Sequence, residues 1–160
     1  MKLNWEKATD KDIYKVSELA EVCWNAHYPS IIGQAQVDYM LHKMYDLNSL
    51  KKQLEEGHIF LILKTQTDTL GFLSYSVVEK DFFIHKFYIL PVFLGQGYGS
   101  RFFNKFIEDF KPSSIRLTVN RQNFTSINFY FKNEFTIEKV ADFDIGNGFV
   151  MNDFVMLWKS

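Results

Sequence analysis

Two periodicities divide the chain. Ile13, Val16, Leu19, Ala20, Cys23 and Trp24 recur at helical spacing, and Thr9-Asp10 ahead of them offers an N-cap. The pattern predicts a helix that ends before Tyr28-Pro29. A second helical stretch covers Gln34 to Met44, with Val37, Met40, Leu41 and Met44 on one face, and a third runs from Asp46 or Asn48 to a C-cap at Gly57. After that the character changes. His58 to Thr65 is nearly continuous apolar sequence, and Leu70 to Val78 follows the polar turn Gln66-Thr67-Asp68-Thr69, which predicts an antiparallel hairpin. Phe82 to Leu90, stopped by Pro91, is the next strand of that run.

Beyond Pro91 the two patterns alternate. A glycine-rich turn, Gly95 to Gly99, leads into a helix over Ser100 to Phe110 with Phe102, Phe103, Phe106, Ile107 and Phe110 on its core face. Ser114 to Val119 reads as a strand and Phe124 to Lys132 as a helix. Thr136 to Asp144 and Phe149 to Trp158 read as a closing hairpin turned at Ile145-Gly146-Asn147-Gly148. Leu3 to Lys7 supplies a short first strand. Grouped strands with grouped helices predict an α/β chain of α+β-like arrangement: a mixed, mostly antiparallel central sheet with helices on both faces, not a doubly wound fold. No repeat, low-complexity stretch or linker interrupts residues 1–160, so one domain is expected.

Composition narrows the function. Apolar residues make up 47% and charged residues 23%, as in a globular protein, and the 17 Phe residues point to a thick core rather than base stacking. A net charge of −1 lacks the basic excess of a nucleic-acid binder. No apolar run approaches the ~20 residues of a membrane span, and Met1-Lys2-Leu3-Asn4-Trp5-Glu6 lacks a signal-peptide pattern, so a cytoplasmic location with no membrane or nucleic-acid partner is expected. Cys23 is the sole cysteine, which excludes an internal disulfide and predicts a buried, inert thiol. The scattered histidines have no metal-ligand spacing, so no metal is expected.

The most informative stretch is Phe87-Tyr88-Ile89-Leu90-Pro91, then Leu94-Gly95-Gln96-Gly97-Tyr98-Gly99-Ser100. Glycines at alternate positions free the backbone where a strand turns into a helix, and the N–H groups of a helix start favour phosphate. A dinucleotide fingerprint fails on spacing, and a P-loop fails because Gly99-Ser100-Arg101 lacks the required lysine. Ile89-Leu90-Pro91 followed by this loop resembles the signature of the GNAT superfamily of N-acetyltransferases. Asn123, Ser126, Phe129, Tyr130, Lys132 and Phe135 resemble its second element. The resemblance implies the acyl-CoA N-acyltransferase fold and acetyl-CoA as co-substrate. Phe87, Tyr88 and Ile89 would pair with the pantetheine arm. The amides of Leu94, Gly95, Gln96, Gly97, Tyr98, Gly99 and Ser100 would hold the pyrophosphate, and Asn123 would contact the cofactor. Three positions depart from the family pattern. Leu94 replaces Gln or Arg, Ser126 replaces Ala, and Glu134 stands where Gly ends the helix, with Asn133 able to turn left-handed instead.

The implied reaction is direct attack of a primary amine, of a small molecule or a peptide, on acetyl-CoA in a ternary complex. An alkylammonium near pKa 10.4 is only about one part in a thousand neutral at pH 7, so a base is useful, and the departing thiolate needs an acid. The resemblance puts Tyr130 in the acid's place. His85 occupies the position of a family glutamate and is the candidate base, with Glu79 a further candidate and His27 and His42 in the helical half. Trp24, His27 and Tyr28, joined by Tyr39 and Phe143, would wall the acceptor site, a pattern loosely similar to the branch that includes polyamine acetyltransferases. A non-catalytic acyl-CoA sensor or scaffold of the same fold is the alternative, and a homodimer stays open.

Overall fold

The helical periodicity of the first third becomes four helices, α1 (Ile13–His27), α2 (Pro29–Ile32), α3 (Gln34–Tyr45) and α4 (Leu47–Glu55), in the computed structural model, which describes residues 2–160. The strands that flank and follow them are β1 (Asn4–Lys7), β2 (Ile59–Lys64), β3 (Thr69–Val78) and β4 (Asp81–Ile89). After a 3-10 turn at Pro91–Phe93 come α5 (Tyr98–Phe110), β5 (Ser114–Asn120), α6 (Phe124–Lys132), β6 (Thr136–Gly146) and β7 (Phe149–Lys159). All seven strands form one sheet in the order β1-β2-β3-β4-β5-β7-β6, antiparallel except where β4 meets β5. The expected mixed sheet with helices on both faces is what forms.

Local details differ from the pattern. Pro29 ends α1 but also opens α2, because a proline at the first helical position gives up an N–H that has no partner there anyway. Thr9-Asp10 does not cap α1. Instead the Asp12 carboxylate accepts from the Thr9 amide at 3.3 Å and from its hydroxyl at 3.1 Å, closing the turn before the helix. Asp46 does cap α4, accepting the Ser49 amide at 2.7 Å. The left-handed residue after α6 is Glu134 itself, at φ 70°, and not Asn133.

Each face of the sheet carries its own core. Phe102, Phe103 and Phe106 of α5 pack with Leu73, Phe82, Ile115 and Met156. On the other face Val16, Val37 and Leu50 pack with Phe60, Ile62 and Phe72. A bulge in β4 mixes the two. Tyr75 pairs with Ile84 and Ser74 with Lys86, so His85 is the extra residue. Ile84 joins the α5 core, whereas Lys86 lies against the Tyr45 and Phe60 rings on the α1–α4 side.

The feature that positions the site lies in the middle of the sheet. β4 pairs with β5 only over Asp81–Phe83 with Ser114–Arg116, in parallel, while β5 stays paired with β7 as far as Asn120. Past Phe83 the two strands part. The Leu90 amide donates to the Leu70 carbonyl at 2.7 Å, so by the alternation of an antiparallel ladder the backbone groups of Phe87 and Ile89 face the gap. Gly71, opposite Ile89, leaves the room that β4 needs there: a Cβ on it would lie 1.9 Å from the Tyr88 carbonyl oxygen.

Candidate active site

The glycine loop stands at the open end of the gap. Gly97 has φ +81°, and its carbonyl accepts the Arg101 amide at 3.2 Å to start α5. The space above it is open, since a Cβ there would meet nothing within 4 Å. First-turn amides, Gly99 and Ser100 among them, have no intrahelical carbonyl to bind and make an anion-binding cradle. Gly99 is needed for packing, as its Cβ would lie 3.0 Å from the Phe129 ring of α6. Not every expected donor is available. The Leu94 amide is already bonded to the Pro91 carbonyl at 3.2 Å, because the 3-10 turn closes on it. The Gln96 side chain is held by the Val92 carbonyl at 3.1 Å, and Ser100 Oγ accepts from the Asn133 side chain at 3.2 Å.

Deeper in, the end of α1 bridges the two sides of the gap. The Tyr28 and Tyr88 hydroxyls lie 3.2 Å apart, and His27 Nε2 lies 2.9 Å from Asn123 Oδ1 across the sequence. Asn123 is buried, and the same oxygen accepts the Ser126 amide at 3.3 Å, capping α6. Its carboxamide oxygen is therefore committed within the protein, which is a different use from the cofactor contact expected of it. Tyr130 sits on α6 between Phe129 and Phe135, with ring centroids 5.2 and 5.3 Å away, and its hydroxyl has no hydrogen-bond partner among the described residues. Burial, reinforced by the Tyr28 phenol, raises the Tyr130 pKa, and burial raises those of Tyr28 and Tyr88 as well. All three keep their protons throughout the neutral range. The Cys23 thiol lies 3.7 Å from the Ile89 carbonyl, and burial pushes it up to about 12, so it is inert as expected.

His85 is not brought to this cluster. The bulge turns it toward Ser76, 2.8 Å from Nε2, and its ring stacks on His58 at 4.0 Å. Burial, then the neighbouring His58 and Lys86, lower it to about 4, so it stays neutral at pH 7 and accepts a proton poorly. Glu79 lies in the β3–β4 turn at φ 58°, at the closed end of the sheet. His42 is exposed on α3 beside Asp46. Of the expected acceptor wall, Trp24 is core: its ring packs at a tilt against Tyr28, centroids 4.3 Å apart, and it donates to the Tyr45 hydroxyl at 3.3 Å. Tyr39 donates to the Ile145 carbonyl at 2.7 Å and anchors the closing hairpin, on which Phe143 is exposed.

One residue near the cluster was not anticipated. Asp153 of β7 is 4% exposed, pairs with Asn120 across the sheet, and has a buried Oδ1 with no partner among the described residues. Burial raises it to about 6, against the pull of the Thr118 hydroxyl and the Arg121 guanidinium. Its charge helps raise the Tyr28 pKa. A lone carboxylate inside the apolar run Phe149 to Trp158 was the available signal. Beside it a cavity of about 360 Å³ opens between Ile31 and Ile32 of α2 and Asn120, Arg121 and Asn152. Among the described residues no group of three metal-ligating side chains occurs, and no helix is long and apolar enough to cross a membrane.

Comparison with known proteins gives this geometry a context. The chain aligns in structure with the PaiA N-acetyltransferase of Thermoplasma acidophilum, determined in complex with coenzyme A, at 21% identity and TM-score 0.76 over 100% of both chains. It aligns with a GCN5-related N-acetyltransferase of Rhodopseudomonas palustris at 15% identity and TM-score 0.79, over 100% of this chain and 97% of the other. The ribosomal-protein-S18-alanine N-acetyltransferase of Escherichia coli follows at 12% identity and TM-score 0.73, over 99% and 94%. At these identities the likeness is one of fold. No curated protein sequence matches the chain. The acetyltransferase (GNAT) family profile, however, matches residues 14–135, from the first helix through the glycine loop to the end of α6, and the chain belongs to that family.

Proposed function

We propose that the protein transfers an acetyl group from acetyl-CoA to a primary amine, by direct attack while both substrates are bound, with residues 1–160 acting as one catalytic domain in the cytoplasm. The observation that carries this reading is the parting of β4 and β5 beside the glycine loop. It leaves a slot that can take an extended arm as an added strand, with an anion cradle at its mouth. Phe87 and Ile89 offer the arm backbone hydrogen bonds, and Gly97 to Ser100 offer the pyrophosphate N–H groups. The thioester then lies beside Tyr130, whose protonated hydroxyl is free to donate to the departing sulfur. The acceptor reaches the same point from the cavity between α2, the end of β5 and β7.

Thermal melting with coenzyme A and acetyl-CoA, followed by thiol release with a panel of amines, tests the proposal. Ligand at 100 times its Kd adds about 2.7 kcal/mol, so a clear rise in melting temperature is expected, together with amine-dependent release of thiol. An unchanged midpoint at millimolar coenzyme A would exclude the cofactor site. A shift with no release for any amine would make the protein an acyl-CoA binder instead.

A further inference from the structure

We propose that Asp153 is the group that takes the proton from the attacking amine. This rests on the acetyl-transfer reading above. The strand alternation of β7 puts Met151, Asp153 and Val155 on the α1–α4 side of the sheet, the side from which the acceptor cavity opens. Asn120, the cross-strand partner of Asp153 and so on the same face, lines that cavity, as do Ile31 and Ile32 of α2. Tyr28, whose hydroxyl lies 3.2 Å from that of Tyr88 on β4, is coupled electrostatically to both Asp153 and Tyr130.

The carboxylate is unusual for what it lacks. Its Oδ1 is buried without a donor among the described residues, an arrangement that costs stability. An amine N–H arriving from the cavity would be that donor. Groups facing Asp153 come from each neighbouring element. They are Thr118 on β5 and Arg121 just after it, Asp142 on β6, and Tyr28 at the end of α1. Arg121 is held by Asp142 at 2.9 Å and by the Asp153 backbone carbonyl at 3.2 Å rather than by the Asp153 carboxylate, so it offsets the burial of that carboxylate only in part. With its acidity weakened by burial, Asp153 is a better base than an exposed carboxylate and is still ionised at pH 7.

The step balances with residues already present. The amine nitrogen forms the bond to the acetyl carbon and loses its proton to Asp153 Oδ1. The carbon–sulfur bond breaks with its electron pair on sulfur, which takes the Tyr130 proton. Asp153 gives its proton to solvent and Tyr130 recovers one as the products leave.

Asp153→Asn keeps the shape and removes the base. With an amine that the wild type acetylates, kcat should fall about 100-fold or more while the coenzyme A melting shift stays intact. The wild-type kcat/KM profile should steepen below about pH 6, and the variant should lose that break. Retained activity, or an unchanged break, would overturn the assignment without touching the acetyl-transfer reading, which fails only if the wild type itself releases no thiol. Should Asp153→Asn not fold, Thr118→Val decides. Loss of the hydroxyl that holds the carboxyl down should move the break to higher pH, and an unmoved break would overturn the proposal.

Discussion

The two faces of the sheet are made from different chemistry. The α5–α6 face is a dry aromatic core in which Phe102, Phe103 and Phe106 meet Leu73, Phe82 and Met156, with the phenols of Tyr75, Tyr98 and Tyr130 packed in or against it. The α1–α4 face buries or half-buries Lys86, His58, His85, Tyr28, Tyr45, Tyr88 and Asp153. Burial lowers Lys86 to about 8 and His85 to about 4, and raises Asp153 to about 6. One face stabilises; the other keeps charge-bearing groups away from water, at a loss of stability, where a reaction can use them. Tyr130 is the exception that joins them, carried on the dry side yet with its pKa raised further by the Tyr28 phenol of the other face.

The comparison breaks most readily on the dry face. Phe106 is fully buried and meets the rings of Trp5, Tyr75, Phe82 and Phe110. Phe106→Ala should destabilise the fold by about 3–5 kcal/mol in urea unfolding, and a loss below about 1 kcal/mol would mean that this core repacks freely. Tyr130→Phe sharpens the contrast from the other direction. It should leave stability and coenzyme A binding almost unchanged while kcat falls about 10²–10³-fold. If binding is lost instead, the hydroxyl serves the cofactor and not the leaving group.

The ionisable face should show itself in stability against pH. His85 folds neutral down to about pH 4, whereas the unfolded chain takes up that proton near 6.5, so stability is lost as pH falls from 6.5 toward 4. Asp153 acts in the opposite sense. Its raised pKa means that the native state binds the proton first, so stability is gained as pH falls from about 6 toward 3.8. His85→Gln should therefore unmask a melting temperature that rises on acidification across this window, a difference on the order of 1–2 kcal/mol after solvent screening. Parallel profiles for variant and wild type would remove His85 from the account. The smallest expected change lies outside both faces. Glu134 holds a left-handed conformation with its side chain exposed, and Glu134→Gly should stabilise by about 1 kcal/mol in the same unfolding assay. No gain would mean that a contact of the glutamate offsets the strain.

Much of this architecture is legible in the sequence because it is local. The apolar spacing in Ser100 to Phe110, the break at Pro91 and the alternate glycines each act over a few residues, and each lands where the pattern predicts. What escapes is set by pairing at a distance. The bulge that turns His85 away from the gap exists only because Tyr75 pairs with Ile84 and Ser74 with Lys86. Asp153 becomes buried only when β7 is laid against β5 with Asn120 opposite it. That the Asn123 oxygen bonds His27, far away in the chain, is likewise invisible in its local sequence.

The parting of β4 from β5 has a mechanical side. The sheet is two half-sheets, β1-β2-β3-β4 and β5-β7-β6, latched at one end by Asp81–Phe83 against Ser114–Arg116 and by the Ser114 hydroxyl on Asp81 at 2.6 Å. Beyond that latch the halves are spanned by side chains such as the His27–Asn123 pair rather than by a backbone ladder. A ligand lying in the slot would act as a strut, supplying the missing rungs and stiffening the hinge. Amide exchange at Phe87 and Ile89 would then slow far more on binding than exchange at Phe72, whose strand is paired on both sides before any ligand arrives.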